Sequence, residues 1–472
     1  MTVLDRALLD ALLFDWLEAG ALAPPGHTAG DWRAFLDLCE RLARERFLPA
    51  WKASDREEPR LDGGRVVLER GTREAVRAGL EAGLPLATVA EARGGMGLPF
   101  VVSRAGTAFL MAAHVAAAAF GMLSAANARL IRDHGTPAQA ARFAAPQEEG
   151  RALGTMALSE PQAGSSLGDI RTRAEPDGAD ALGPRFRLRG HKMWISAAGH
   201  DATEEIVHLV LAKIPAPDGR LPEGTRDISL LIVPSHVDGR PNDLAVAGLN
   251  HKMGWRGTPN CALNLGERDG ALGWLLGEPG QGLPIMFGMM NEARIGVGLG
   301  AAAQAFRGYL LARDYARERL QGRPPGERGG PMVPLLAHPD VRRMLLTQRA
   351  LAEGALALCL FCARLVDRGD ARSRALLDLL TPVAKTFPSE MGLESLSLGL
   401  QVHGGYGYTR DFDLEQLWRD SRLNPIHEGT TGIQGLDLAG RKLLGDGFGA
   451  WGLLMEEMAA TEGRAGGPLA AS

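Results

Sequence analysis

The sequence predicts an α+β protein in which a β-rich region lies between two helical regions. The early part of the chain places apolar residues at helical spacing, the middle part consists of short β-type runs between turn residues, and the last part returns to long helical patterns. A chain of 472 residues is too long for a single hydrophobic core. We therefore expect an all-helical N-terminal domain at 1–152, a middle β-domain at 153–280 and a helical bundle at 281–472.

The N-terminal region is predicted to be helical by an apolar stripe at three-to-four-residue spacing. Its members are Trp32, Phe35, Leu36, Cys39, Leu42, Ala43 and Phe47. Further along, Ala105 to Ala128 contains no charged residue and resembles a membrane span. Because alanine contributes little transfer free energy, a buried helix is favoured, and we expect no transmembrane segment.

The middle region is predicted to form a small barrel or sandwich. Gly, Pro, Asp and Asn clusters, such as "EPDGAD" and "PAPDGRLPEGTRD", separate its short β-type runs. The runs are "GTMALSEP", "RFRLRG", "EIVHLVLAKI", "DISLLIVP", "DLAVAG" and "NCALNL".

The last region is predicted to be an antiparallel bundle of long helices with short connections. The segment "FGMMNEARIGVGLGAAAQAFRGYLLARDYARERL" keeps a helical period, and 338–367 and 371–401 hold further helical patterns. The stretch "RPPGERGGP" between the first two is predicted to be a loop.

Composition and charge narrow the functional classes. The chain is 45% hydrophobic and 23% charged, and its 52 basic and 56 acidic residues give a formal net charge of −4. This balance provides no general attraction to nucleic acid or to anionic membranes. Few cysteines and no signal peptide favour a reducing cytoplasm. Cys359 and Cys362 form a C-x-x-C pattern, but they lie in an apolar helical segment without further ligands, so we expect core residues and no metal site.

One carboxylate near the end of the chain raises a specific question. In "NPIHEGTTGIQ", Glu428 lies between a histidine and a glycine-rich turn before a predicted helix. Taken alone, this pattern favours a carboxylate stabilised by the helix macrodipole. The glycine-rich "HGGYGY" after an earlier helix is a weak candidate for anion binding through backbone N–H groups.

Five motifs taken in order resemble the FAD-dependent acyl-CoA dehydrogenase family. "LSEPQAGSSLGDIRTRA" and "LRGHKMWISAAG" resemble its middle domain, and "YARERLQGR", "QVHGGYGYTRD" and "NPIHEGTTGIQ" resemble its C-terminal bundle. The segments "MNEARIGVG" and "YARERLQGR" are similar to the sequences of the branch that contains 3-methylmercaptopropionyl-CoA dehydrogenases. The resemblance implies a four-helix C-terminal bundle, with FAD between it and the β-domain, and α,β-dehydrogenation of an acyl-CoA thioester.

The resemblance assigns the catalytic base to Glu428. A thioester α-proton is a poor acid, so the base must act in a dry site where burial raises its pKa. The backbone N–H of Glu428, with a flavin ribityl hydroxyl, would hold the thioester carbonyl, and Gly429 would allow close approach of the substrate. Some relatives carry the base on the long helix, at the position of Ala293 here, and Glu292 points away from that position by about 100°.

The resemblance also implies residues that bind FAD and substrate. Ser165 would lie near the CoA moiety, and Arg294 would help to order the site or form an ordinary salt bridge within the bundle. His427 is interpreted as a pocket-wall residue. The flavin ring would meet Met156, Leu158, Ser159, Trp194 and Ser196; the diphosphate of a neighbouring subunit's FAD would meet Arg319, Gln401, Gly404 and Gly405; and the adenosine half would meet Thr430.

Some positions depart from the family pattern, and two other functions stay open. Gly432 replaces a common glutamine near the adenine, Ser166 replaces an aspartate, and Gln321 and Gly322 replace a Thr-Phe pair. We expect a cytoplasmic homodimer or homotetramer that passes electrons to an electron-transfer flavoprotein and binds neither nucleic acid nor membrane. The alternatives are an acyl-CoA oxidase, or a non-catalytic, flavin-bearing nucleic-acid-binding relative.

Overall fold

The computed structural model describes residues 2–23, 26–324 and 326–465. Short 3₁₀ and π segments join several of its helices, among them Asp437–Leu444. The α-helices are α1 (Arg6–Asp10), α2 (Ala29–Leu42), α3 (Leu48–Arg56), α4 (Arg70–Glu81), α5 (Phe100–His134), α6 (Pro137–Gln139), α7 (Ala145–Glu148), α8 (Gly282–Glu318), α9 (Pro339–Arg368), α10 (Ala371–His403), α11 (Leu414–Ser421), α12 (Thr431–Leu436) and α13 (Gly449–Ala465). The strands are β1 (Arg60–Asp62), β2 (Arg65–Val67), β3 (Ala152–Ala157), β4 (Arg173–Asp180), β5 (Gly183–Ser196), β6 (Glu205–Lys213), β7 (Ile228–Pro234), β8 (His236–Val237), β9 (Arg240–Pro241), β10 (Leu244–Leu249), β11 (Asn260–Leu265) and β12 (Ala271–Leu276).

The chain folds into two compact units. The sheet unit contains residues 37–98 and 109–293, and the bundle unit contains residues 2–36, 99–108 and those from 294 onward. The order of helices, strands and helices matches the predicted fold class. The three-domain boundaries at 1–152, 153–280 and 281–472 stay a prediction, because the compact units follow a different division.

The sheet unit is built around a closed ring of strands. β5 pairs with β12, β12 with β7, β7 with β6, β6 with β4, and β4 again with β5. One core cluster takes apolar residues from each of these five strands, including Leu188, Val210 and Leu231. The ring is therefore a small barrel with a filled interior, one of the two architectures that the sequence predicts.

The outer side of the barrel has its own core. Along β6 the side chains alternate, because Val210 and Ala212 belong to the inner cluster, whereas Leu209 and Leu211 belong to a second cluster. That second cluster includes Ile131 from α5 and Phe143 from the following helical segment. β6 is consequently buried on both faces, which explains its almost continuous apolar sequence.

A strand pair lies in the region that the sequence predicts to be all-helical. β1 and β2 form an antiparallel hairpin across Gly63 and Gly64, which have φ angles of 57° and 81°. Glycine adopts such left-handed angles without the steric cost of a Cβ atom. The N–H of Val66 donates to the Gly199 carbonyl at 2.8 Å, and this bond fastens the hairpin within the sheet unit.

The alanine-rich segment is part of α5. Within the described residues, α5 is the one helix long and apolar enough to cross a membrane, and 78% of its most apolar window is buried inside the protein. Its residues have helical angles except at His114, where φ is −159° and ψ is 84°. Such burial is typical of a core helix and agrees with the interpretation made from the alanine content.

The bundle unit packs α8, α9 and α10 side by side around apolar clusters. One cluster contains Ile295 of α8, Cys362 of α9 and Ala384 of α10. Gly298 allows α8 to approach α10 closely, since a Cβ atom there would lie 1.9 Å from the Ala384 carbonyl oxygen. Cys359 is buried beside Cys362, and burial raises the pKa of the Cys362 thiol to about 12, which fits the predicted core role of the C-x-x-C pair.

The N-terminal segment belongs to the same unit through polar contacts with α9. Arg364 Nε donates to the Leu17 carbonyl at 3.0 Å. The Asp367 carboxylate accepts the N–H groups of Phe100 and Val101 at 2.6 and 2.9 Å, so it caps the start of α5. The end of α9 is thus fixed to two segments that are distant in sequence.

Candidate active site

Glu428 lies in the tight loop between α11 and α12. Its φ angle is 52°, a left-handed value that is unfavourable for a residue with a Cβ atom, and Gly429 follows with a φ of 90°. Thr430 ends the loop, and its hydroxyl accepts the N–H of Ile433 at 3.4 Å as the N-cap of α12. An unfavourable backbone angle that surrounding contacts maintain is a common feature of functional sites.

Side chains hold the two carbonyl groups of this turn. Gln434 Nε2 donates to the Glu428 carbonyl at 3.0 Å, and Lys385 Nζ donates to the Gly429 carbonyl at 2.7 Å. Within the part of the chain that the structure describes, the backbone N–H of Glu428 donates to no acceptor. The turn therefore presents a donor that is free to bind a carbonyl oxygen of a ligand.

The Glu428 carboxyl group is partly buried between positive charges. Burial raises its pKa above the ordinary value, and the nearby Arg294 and Lys385 oppose that rise. Burial, with a smaller effect of Lys385, lowers the pKa of His427 to about 3, so this histidine is neutral at physiological pH. A neutral, partly buried His427 fits its interpretation as a wall residue.

Arg294 forms a salt bridge within the bundle unit, which is one of the two roles expected for it. Its Nη1 lies 2.9 Å from an Asp437 carboxylate oxygen, and both side chains are buried. The second Asp437 oxygen lies 2.8 Å from Arg441 Nε. The Nε of Arg294 is buried and has no hydrogen-bond partner among the described residues. Arg294 is thus fixed by Asp437, and its Nε–H remains available as a donor.

Glu292, the rival carboxylate, has a partner in the sheet unit. Its carboxylate forms a salt bridge with Arg129 of α5. This contact makes Glu292 a hydrogen-bonding residue of the sheet unit.

The sheet unit brings two of the quoted motifs together through a buried ion pair. Lys192 Nζ lies 3.0 Å from Glu160 Oε1 and donates to the Leu158 carbonyl, also at 3.0 Å. The N–H of Met193 donates to the Ser159 carbonyl at 3.0 Å. The segment after β3, with Leu158 and Ser159, is thereby fixed to the end of β5, two residues before Trp194.

The same carboxylate organises the loop that carries Ser165. Glu160 Oε1 accepts the N–H of Thr172 at 3.0 Å and its hydroxyl at 2.6 Å, and Oε2 accepts the N–H of Arg171 at 2.7 Å. The loop between these anchors carries Ser165, which is exposed. Ser165 is therefore placed where a ligand can reach it.

Trp194 and Ser196 suit a planar cofactor on the surface of the sheet unit. The Trp194 side chain is 60% exposed, although tryptophan in a strand is usually a core residue. The backbone of Trp194 has a left-handed φ angle of 66°. Ser196 is partly buried and its hydroxyl lies 3.4 Å from Asn260 Nδ2. Together with partly buried Met156, this set offers an aromatic face, hydroxyl groups and backbone polar atoms, which fits an isoalloxazine ring.

The residues expected at the diphosphate lie on two helix ends of the bundle unit. Arg319, Gln401, Gly404 and Gly405 are all exposed. Tyr315 of α8 stacks on His403 of α10 with 4.2 Å between ring centroids, so these two helix ends are adjacent. Arg319 Nη2 donates to Gln321 Oε1 at 3.2 Å, within its own loop. The cationic side chain of Arg319 at adjacent, exposed helix ends suits an anionic ligand.

Sequence reasoning did not identify Lys385, Lys192 or Glu160 as functional residues. Lys192 and Glu160 lie inside motifs that carried the resemblance, but nothing in their spacing shows that they meet. Lys385 lies within the apolar helical pattern of α10 and is fully buried. A lysine at an apolar helical position is the signal that could have identified it, because unpaired buried lysines are rare.

Comparisons with known proteins found matching family models and relatives. Two family models match: "Acyl-CoA dehydrogenase, middle domain" at residues 155–267 and "Acyl-CoA dehydrogenase, C-terminal domain" at residues 280–443. The chain is 39% identical to 3-methylmercaptopropionyl-CoA dehydrogenase of Ruegeria pomeroyi over 92% of this chain and 74% of that protein. It is 35% identical to the broad-specificity linear acyl-CoA dehydrogenase FadE5 of Mycobacterium tuberculosis over 88% of this chain and 70% of that protein.

Solved structures share the fold. Butyryl-CoA dehydrogenase from Megasphaera elsdenii has a TM-score of 0.72 at 23% identity and covers 87% of this chain and 98% of its own. Caenorhabditis elegans ACDH-11, solved in complex with C11-CoA, has a TM-score of 0.78 at 22% identity and covers 97% of this chain and 76% of its own.

The chain belongs to the acyl-CoA dehydrogenase family of FAD-dependent oxidoreductases, which act on the CH–CH bond of acyl-CoA thioesters. Within that family, the relative at 39% identity bears the name of the branch that the sequence motifs indicated.

Proposed function

We propose that this protein dehydrogenates an acyl-CoA thioester with Glu428 as the base that removes the α-proton. The observation that carries the proposal is the Glu428 turn, in which a partly buried carboxyl group of raised pKa lies beside a backbone N–H without an acceptor among the described residues. A base and an oxyanion donor on the same residue can act on the α-carbon and the carbonyl of one thioester.

The charges of the bundle unit make this role workable. A carboxylate in a site of low polarity is a stronger base than one in water, but it must be ionised before it can accept a proton. Arg294 and Lys385 oppose the effect of burial and favour the ionised form. The Glu428 N–H would stabilise the enolate-like charge on the thioester oxygen as the α-proton moves to the carboxylate.

We propose that Met156, Leu158, Ser159, Trp194 and Ser196 hold the flavin ring. When bound, FAD supplies the isoalloxazine ring that accepts the β-hydride. The role of this chain is to fix the Leu158 carbonyl through Lys192 and the Ser159 carbonyl through the N–H of Met193, and to present the exposed Trp194 as a flat wall. We further propose that Thr430 contacts the adenosine half and Ser165 the CoA moiety, and that Gly429 allows substrate to approach the backbone.

We propose a cytoplasmic homodimer or homotetramer that reduces an electron-transfer flavoprotein. The exposure of Arg319, Gln401 and Gly404 supports a contribution to the FAD of a neighbouring subunit, and the 95% exposed Tyr408 in the same turn supports a subunit contact. Light scattering gives the mass of the FAD-bound protein in solution. A monomeric holoenzyme would contradict the shared site.

The alternatives are an oxidase and a nucleic-acid-binding flavoprotein. An oxidase would reoxidise rapidly in air after reduction by substrate, whereas a dehydrogenase would require an electron-transfer flavoprotein. A nucleic-acid-binding protein would shift duplex DNA in a gel with a strong dependence on salt. The net charge of −4 does not favour the second alternative.

An anaerobic bleaching experiment tests the base. The FAD-bound protein is mixed with butyryl-CoA, octanoyl-CoA and 3-methylmercaptopropionyl-CoA, and the flavin absorbance is followed. Glu428→Gln should retain FAD and fail to bleach with any of them, while Glu353→Gln on the α9 surface should bleach like the wild type. Full bleaching by Glu428→Gln would overturn the assignment and direct attention to Glu292.

A further inference from the structure

Lys385 is a buried cation with one defined hydrogen bond. It lies in the middle of α10, its side chain is fully buried, and its Nζ is 2.7 Å from the carbonyl oxygen of Gly429. Burying an ammonium group is costly unless the group is hydrogen-bonded and paired with negative charge. The position therefore indicates a specific role for this lysine rather than simple packing.

Three charged groups act on Lys385: Glu428, Glu390 and Arg294. Glu428 and Glu390 favour its charged form, whereas Arg294 of α8 opposes it. Arg294 is itself neutralised by Asp437, and Glu390 accepts the hydroxyl hydrogen of Thr431. His427, a further titratable neighbour, is neutral because burial and Lys385 lower its pKa to about 3. Lys385 is thus the cation that contacts the Glu428–Gly429 turn directly.

We propose that Lys385 is a positioning residue for the base, because its ammonium group fixes the turn through the Gly429 carbonyl and presents positive charge to the Glu428 carboxylate. The proposal rests on the proposed function, in which Glu428 is that base. It assigns two separable effects to one side chain: a hydrogen bond that maintains the backbone and a charge that keeps the carboxylate ionised.

The backbone geometry explains why a fixing contact is needed. The left-handed φ angle of 52° at Glu428 is unfavourable for a residue with a Cβ atom, so the loop would relax without contacts that hold it. The bonds from Gln434 and Lys385 hold consecutive carbonyl groups on either side of the Glu428–Gly429 peptide link. Relaxation would turn the N–H of Glu428 and its carboxylate away from a bound thioester together.

The charge has a predictable effect on the pH profile. Burial lowers the pKa of Lys385 to about 8, so its charge is present at acidic and neutral pH and is lost as the pH rises above 8. Loss of a neighbouring opposite charge raises a carboxyl pKa by roughly one to three units. Without the charge, the acidic limb of the bleaching rate should therefore move to higher pH.

Three variants separate charge from hydrogen bonding. Lys385→Gln retains a donor for the Gly429 carbonyl and lacks the charge, Lys385→Arg retains both, and Lys385→Met retains neither. The rate of anaerobic bleaching is measured against pH with the acyl-CoA of the three-thioester panel that reduces the wild type fastest. Lys442→Met, which removes a lysine paired with Asp378 at the surface, is the matched control.

The expected result is an acidic limb raised by about one unit or more in Lys385→Gln and Lys385→Met. Lys385→Arg and Lys442→Met should keep the wild-type limb. An unchanged limb in Lys385→Gln, or loss of the fold in all three Lys385 variants, would overturn the proposal, since either result gives Lys385 a purely structural role. Bleaching by Glu428→Gln would overturn the proposed function instead, because it would show that Glu428 is not the base. That result does not depend on the behaviour of the Lys385 variants.

Discussion

The ammonium group of Lys192 lies 3.0 Å from Oε1 of Glu160, and both side chains are buried in the sheet unit. This pair joins the segment after β3 to the end of β5, and its lysine also binds the Leu158 carbonyl. Folding stability and the proposed flavin wall therefore depend on the same contact.

Glu160→Gln should destabilise the protein strongly. Removal of one partner from a buried ion pair leaves the other charge uncompensated and costs about 3–5 kcal/mol. Urea unfolding followed by circular dichroism measures the loss. Glu74→Gln breaks the exposed pair of α4 with Arg70 and should leave the midpoint near that of the wild type. Equal midpoints for the two variants would show that the buried pair contributes little.

The stability of the wild type should fall in acid through Glu160. Burial alone would raise its pKa, but Lys192 and the hydrogen bonds from Thr172 and Arg171 prevail and lower it to about 2. Because the folded-state pKa is lower than the unfolded value, this stabilisation is complete above about pH 4.5 and disappears as the pH falls towards 2. The difference in unfolding free energy between wild type and Glu160→Gln should shrink over that range; a constant difference would contradict the assignment.

Gly298→Ala and Gly354→Ala should have opposite effects on stability. The added methyl group at Gly298 would clash with the Ala384 carbonyl of α10, and such overpacking costs about 1–3 kcal/mol. At Gly354 in α9 the methyl group would meet no atom within 4 Å, so helix propensity should stabilise this variant by about 0.5–1 kcal/mol. Denaturant midpoints of the two variants measure the contrast. A neutral Gly298→Ala would mean that α8 and α10 can separate without cost.

Trp194→Ala should weaken FAD binding more than folding. The indole is 60% exposed, so its removal exposes little core. Aromatic contacts contribute about 0.5–1.5 kcal/mol, which corresponds to a loss of affinity of up to roughly tenfold. Titration of the apoprotein with FAD measures the affinity, and Trp194→Phe, which keeps a ring, should restore most of it. An unchanged affinity in Trp194→Ala would remove Trp194 from the proposed wall.

Much of the fold could be predicted from local patterns, but strands with polar or ambiguous sequences could not. The composition of "EPDGAD" predicts a turn, yet it lies in β4, where a register shift between Pro176 and Ala179 accommodates proline and glycine. The run Ala271–Leu276 was not identified as a strand, because a short apolar run has no distinctive period. Both strands close the barrel, so closure itself was beyond local reasoning.

In the candidate site, too, a sequence motif identifies the residues, but only the folded structure shows their contacts. Glu428 and its glycine-rich turn followed from a motif, whereas the left-handed angle and the side chains that hold the turn did not. Lys385 lies 43 positions before Glu428 in the chain, and only the folded bundle brings its ammonium group to Gly429. Likewise, the packing of residues 2–36 with the bundle unit depends on single polar contacts such as Arg364 with Leu17, which leave no periodic signal.

The strand β5 has two halves with unequal support. Its first half, around Arg187 and Leu188, pairs with a strand on both sides, β4 and β12, whereas its second half from Gly190 to Ser196 pairs with β11 on one side and is held on the other by the bond from Met193 to Ser159. Amide hydrogens of the first half should therefore exchange with deuterium more slowly than those of the second. Trp194 and Ser196 both lie in the faster half, so the proposed flavin wall is borne by the part of the strand that a bound ligand can still rigidify.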